Sequence, residues 1–138
     1  MLPPSAASAR IEHLAVWTPD VERLTAWYVR WLGATAGARY ENPNHGFASR
    51  FLTLPGGGPR FEIMQTTQLD PVVAAPGAQR MGLTHFAVSL GSEAAVDALT
   101  EAMRAAGVPV LDAPRRTGDG YYESVVMDPD GTRIELTA

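Results

Sequence analysis

Two histidines and two glutamates of this 138-residue chain occupy matched places. His13 lies in "IEHLAV" (Ile11–Val16), and His85 lies 72 positions later in "LTHFAV" (Leu83–Val88). Glu62 closes "LTLPGGGPRFEIM" (Leu52–Met64), and Glu135 closes "VVMDPDGTRIELT" (Val125–Thr137), at an offset of 73. Taken singly, each residue has an ordinary reading: the histidine as a hydrogen-bonded core or edge residue, the glutamate as a solvated strand residue. Repeated as a quartet, they are a donor set for a divalent metal. Neutral imidazole and carboxylate are usual ligands, and the ion compensates the carboxylate charge. Four such side chains converge if the halves are related by a pseudo-twofold axis. A third histidine, His45 in "NPNHGF", has no counterpart in "RTGDGYY" and reads as a loop residue, with substrate contact as the alternative.

The elements that must position these groups are also duplicated. After each histidine motif comes a helical stretch. "TPDVERLTAWYVRWLG" offers Thr18 as cap, Pro19 at the first helical position and Gly33 as terminator, with an apolar stripe of Val21, Leu24, Trp27, Tyr28, Trp31 and Leu32. "SEAAVDALTEAMRAAG" offers Ser92 as cap, Val96, Leu99 and Met103 as the stripe, and Gly107 as the end. Strands are expected at 34–40, 46–54, 108–114 and 120–127. Each half therefore reads strand–helix–strand–strand–strand. In "TRIELTA" strict alternation sets Arg133, Glu135 and Thr137 on one face and Ile134 and Leu136 on the other. On this reading Glu135 faces an enclosed site and its apolar neighbours face a helix. The modules span 10–65 and 83–137 of a single domain. They are joined by a connector, 66–82, rich in Pro, Gly and Ala.

Totals exclude several classes of function. A net charge of −4 argues against nucleic acid as partner, because phosphate binding needs a basic face. With no cysteine there is no disulfide, thiolate metal site or thiol nucleophile. The opening "MLPPSAASAR" lacks the charged and apolar regions of a signal peptide, and no stretch approaches a membrane span. A cytoplasmic location without membrane partners is expected.

The chain resembles the vicinal oxygen chelate superfamily, which includes glyoxalase I, methylmalonyl-CoA epimerase, extradiol dioxygenases and bleomycin resistance proteins. The resemblance runs from Ile11 to Thr137, and its most specific marker is "DPDGTRIEL" (Asp128–Leu136). It implies an α+β fold: two tandem βαβββ modules forming an open, curled eight-stranded sheet around a central metal cavity. It implies His13, Glu62, His85 and Glu135 as ligands of one divalent ion (Ni, Zn, Co or Mn, with Fe as the alternative). The His/Glu/His/Glu pattern is most similar to bacterial glyoxalase I. That implies a metal-dependent lyase or isomerase that binds adjacent substrate oxygens and moves a proton through an enediolate. Glu135, or in its place Glu62, is the implied base. Bacterial glyoxalase I usually carries an arginine where Trp17 stands and often an asparagine where Thr66 stands, so the implied substrate is not the standard glutathione hemithioacetal. Trp17, Met64, Arg115 and Arg116 are candidate substrate-lining residues. An extradiol-type iron dioxygenase and a drug- or metabolite-binding protein are the alternatives, and a homodimer is the implied assembly.

Overall fold

A computed structural model describes residues 8–69, 78–79 and 81–138. The chain divides into two compact units, residues 1–70 and 71–138. The first runs β1 (His13–Trp17), α1 (Val21–Leu32), β2 (Thr35–Ala36), β3 (Tyr40–Asn42), β4 (Phe47–Thr53) and β5 (Arg60–Gln65). The second runs β6 (His85–Ser89), α2 (Glu93–Ala105), β7 (Val110–Arg116), β8 (Tyr122–Met127) and β9 (Arg133–Thr137). This is the α+β architecture with two βαβββ modules that the sequence led one to expect.

The units repeat each other in topology and register. In the first, β1 pairs parallel with β5, β5 antiparallel with β4, and both β2 and β3 lie against β4. In the second the order is β6-β9-β8-β7, with β6 parallel to β9. His13 lies opposite Arg60, and His85 opposite Arg133; Ala15 lies opposite Glu62, and Ala87 opposite Glu135. Even the exit from the first strand is shared. The Thr18 amide bonds to the Met64 carbonyl, and the Leu90 amide to that of Thr137.

Alternation places the core. Ile134 and Leu136 are fully buried, as are Ile63, Val96 and Met103, on the side of each sheet that carries its helix. Glu62 and Glu135 point to the other face, as strand periodicity requires. Within the second core the Thr100 hydroxyl donates to the Val96 carbonyl and shares a 2.7 Å hydrogen bond with Ser124, so neither buried hydroxyl is left unpaired. The "DPDG" turn before β9 has a local cause. The buried Asp128 carboxylate accepts from the amides of Asp130 and Thr132, both at 2.9 Å, and holds the hairpin closed.

Three expectations are corrected. Nine strands are found among the described residues, not eight. The stretch 34–40 breaks because four steps from Ala36 to Tyr40 face three from Leu52 to Ser49, and the extra residue interrupts the ladder. The first helix is capped by Asp20, whose carboxylate accepts from the Arg23 amide, not by Thr18; Pro19 therefore precedes the cap. Strand β7 continues through Arg115 and Arg116 instead of ending at 114. Gly33 closes α1 in the left-handed region and the Ser92 hydroxyl caps α2, as expected; the C-cap of α2 is Ala106, and Gly107 follows it in the left-handed region. Of the connector, 70–77 and 80 lie outside the described residues, as do residues 1–7.

Candidate metal-binding site

In the first unit β1 and β5 bring His13 and Glu62 onto the face opposite α1. The His13 Nε2 lies 3.8 Å from the Glu62 Oε1. The imidazole is held from two other directions. Its Nδ1 makes a short hydrogen bond with the Glu12 carboxylate, and its ring packs edge-on against Phe51 at 5.5 Å. Glu12 is in turn bound by Arg60, with Nη2 at 2.6 Å and Nε at 2.8 Å. Hydrogen bonding to His13 and to the Arg60 guanidinium holds the Glu12 carboxyl below the usual carboxylate range. With Nδ1 engaged, Nε2 is the nitrogen left to face Glu62. A metal-binding histidine is commonly oriented by such a carboxylate.

In the second unit β6 and β9 set the His85 Nε2 3.1 Å from the Glu135 Oε2. The surroundings differ. Thr84 stands where Glu12 does, and a further carboxylic acid, Glu123 of β8, hydrogen-bonds to Glu135. Burial, the nearby Glu135 charge and that hydrogen bond raise the Glu123 pKa, and the Arg115 charge partly opposes them. Arg115 donates from Nη1 to the Glu123 carbonyl at 3.3 Å, while its Nη2 lies 3.9 Å from the Glu123 Oε1.

Each pair fits one edge of a metal coordination sphere. Oxygen and nitrogen ligands lie about 2.1 Å from the ion, so two at right angles stand about 3 Å apart. The second pair has that spacing, and the first is somewhat wider. Both glutamate side chains are largely covered, at 16% exposure for Glu62 and 21% for Glu135. A covered carboxylate calls for a compensating positive charge. Among the described residues no group of three or more His, Cys, Asp or Glu side chains forms one metal-holding cluster. What each unit presents is a two-donor pair.

The remaining candidates divide by face. Trp17 ends β1 on the His13 face and lines an open pocket; Met64, half-buried, lies opposite it on β5. Arg115 reaches Glu123, as described. Arg116 pairs instead with Glu93 at the start of α2 and stacks over Tyr122, 5.5 Å from the ring centre. His45 ends a short 3-10 turn, Pro43–His45, and lines the same pocket as Trp17. Glu12 and Glu123 were not singled out from the sequence. Glu12 was legible as the carboxylate beside the first histidine. Glu123 was not, because it meets Glu135 diagonally across two strands.

The profile of the Glyoxalase/Bleomycin resistance protein/Dioxygenase superfamily matches residues 10–136. An uncharacterized Pseudomonas aeruginosa protein, PA2024, is 32% identical over 137 residues, covering 94% of this chain and 89% of its own length. An ethylmalonyl-CoA/methylmalonyl-CoA epimerase of Cereibacter sphaeroides is 44% identical over 46 residues, 33% of this chain and 34% of that protein. Glyoxalase I from Zea mays superposes with a TM-score of 0.73 at 22% identity over 93% of this chain, which spans 44% of the maize chain. At that identity the likeness speaks for the fold.

Proposed function

The chain belongs to the Glyoxalase/Bleomycin resistance protein/Dioxygenase superfamily, and we propose that it is a metal-dependent lyase or isomerase of the glyoxalase I kind. The observation that carries this reading is the duplicated pair. One imidazole and one carboxylate stand within 3.8 Å in the first unit and 3.1 Å in the second, at the same register of the same two strands. His13, Glu62, His85 and Glu135 are the four donors for one ion, supplied by two units of one chain or of two chains in a homodimer. A bound divalent ion (nickel, zinc, cobalt or manganese) supplies Lewis-acid stabilisation of charge on two neighbouring substrate oxygens.

The chain's own residues do the rest. Glu12 holds His13 in the tautomer and orientation that present Nε2. Glu135 is the favoured proton acceptor for the substrate C–H, with Glu62 as the alternative. Glu135 has a hydrogen-bonding neighbour, Glu123, tied down by Arg115. Glu62 instead pairs with Phe51 across the β4–β5 ladder. Among the superfamily's reactions, a glutathione hemithioacetal is disfavoured here because Trp17 and Thr66 replace polar carriers of the glutathione carboxylates.

The test is metal content of the untagged protein against Glu135→Gln and His85→Ala. Each variant is expected to bind nickel, zinc, cobalt or manganese at least about 100-fold more weakly, a larger loss than removing an orienting neighbour gives. If both retain metal as tightly as the wild type, the four-donor reading fails. Iron together with oxygen uptake would replace it with a dioxygenase. Proton exchange on an α-hydroxy-ketone by the loaded protein is the expected activity.

A further inference from the structure

Wholly within the first unit is a pocket of about 630 Å³, inside the range of small-molecule sites. Three aromatic side chains from three strands wall it: Trp17 of β1, Tyr40 of β3 and Phe47 of β4. Phe47 is the hub, with its ring edge-on to Trp17 at 6.3 Å and inclined at 62° to Tyr40 at 6.0 Å. Trp17 and Tyr40 remain 48% and 58% exposed, so two large aromatic surfaces stay in contact with solvent. That is an unfavourable way to leave aromatic area unless something covers it.

The polar part of the wall is chosen as well. Among the described residues, no Asp, Glu, Lys or Arg lines the pocket. A charged ligand would find no carboxylate, lysine or arginine partner among them, which favours a neutral occupant. Asn42, His45 and Gln68 contribute donors and acceptors at the rim, and none of their side chains is engaged in a hydrogen bond among the described residues. The Thr66 hydroxyl, by contrast, is committed: it donates to the His45 carbonyl at 3.2 Å and accepts from the Gln68 amide at 3.3 Å. It braces the two walls that carry the free groups. Gly46 lets the turn approach this closely. Its φ of 56° favours glycine, and a Cβ there would stand 2.5 Å from the Thr67 hydroxyl oxygen.

Trp17 lies on the same strand face as His13, four residues on, roughly 13 Å at 3.3 Å per residue. We propose that this pocket is the subsite for a neutral, planar aryl group, ring against Trp17 and Tyr40, with a hydrogen-bonding substituent meeting Asn42 or Gln68. Assigning that aryl group to the substrate, as an arm reaching from a two-oxygen head at His13, rests on the reading under Proposed function.

The test follows indole and side-chain amide N–H shifts of the full chain, metal-free and metal-loaded, against three probes. Benzamide carries the ring and the polar edge, cyclohexanecarboxamide lacks the flat face, and benzoate carries a charge. Benzamide is expected to shift the Trp17, Asn42 and Gln68 signals saturably in both forms. Cyclohexanecarboxamide should bind about tenfold more weakly, the scale of an aromatic contact, and benzoate, which keeps the ring but adds a charge, should also bind more weakly than benzamide. Trp17→Ala and, separately, Tyr40→Ala should each weaken benzamide about tenfold. Both residues are exposed, so both variants should fold; thermal unfolding checks this. Gln68→Ala should weaken benzamide but not toluene. Benzamide leaving these signals unmoved, or binding no better than cyclohexanecarboxamide, overturns the proposal. Wild-type protein that shifts with benzamide yet holds no metal overturns the substrate assignment and the function reading together, while the aryl site stands.

Discussion

The two units are the same scaffold with different surroundings at the same point. Both carry a histidine on the first strand and a glutamate on the last, in parallel register, with two apolar residues behind the glutamate in the core. Around His13 the neighbours are a carboxylate on Nδ1 and an aromatic ring. Around Glu135 they are a second carboxylic acid and an arginine behind it. Register and burial pattern belong to the backbone ladder and the helix-facing core, which any sequence folding this way must keep. The residues beside the pair are free of that constraint. The first pair is held firmly through its imidazole, the second is crowded at its carboxylate, and the two are not chemically interchangeable.

Substitutions at matching positions sharpen the comparison. The largest effect is expected in the cores. Ile63→Ala and Leu136→Ala, at matching places and both fully buried, should each lower stability by about 2–5 kcal/mol in denaturant unfolding. Similar losses would show that the two cores are equivalent, and a loss confined to one would break the symmetry argued here. Next is the orientation of the histidines. Glu12→Ala is expected to weaken metal binding by about 10–100-fold, measured by competition with a chelator. Thr84→Ala, its counterpart, should leave affinity unchanged. Equal effects would deny Glu12 its positioning role.

The smallest effect is in pH dependence. Glu22 of α1 accepts from Arg50 at 3.0 Å and from Arg39 at 2.8 Å, and these bonds hold its pKa below the ordinary carboxylate value of 4.5. A carboxylate with a depressed folded-state pKa contributes stability that is present above its unfolded value and is lost as pH falls through the folded one. Melting temperature should therefore drop more steeply below pH 4.5 in the wild type than in Glu22→Gln. Ala94 stands at the matching place in α2, so Ala94→Gln should leave that slope unchanged. Half of the Glu22 side chain is exposed, and salt should weaken the effect.

Much of this was legible in the chain. The duplicated motif anticipated the repeated order of strands and helix, and strand alternation placed Ile134 and Leu136 inward with Glu135 opposite. Gly33, Ser92 and the "DPDG" turn act locally, through backbone φ or a side chain bonding an amide a few residues away. Thr18 was misread because Asp20 offers a carboxylate two residues nearer the helix, and the break within 34–40 was missed because it depends on the register of β4. The metal quartet is a reading of residue type and spacing; the structure adds the two close pairs.

By itself the sequence determined the repeat, the periodicities and hence the faces, because these depend on neighbours along the chain. Only the tertiary structure decided which side chains from separate strands touch: Glu123 with Glu135, Phe51 with the His13 imidazole, and Trp17, Tyr40 and Phe47 about one pocket. Such contacts arise from cross-strand register. One residue of slip exchanges every inward side chain for an outward one, and no local pattern records where that register will settle.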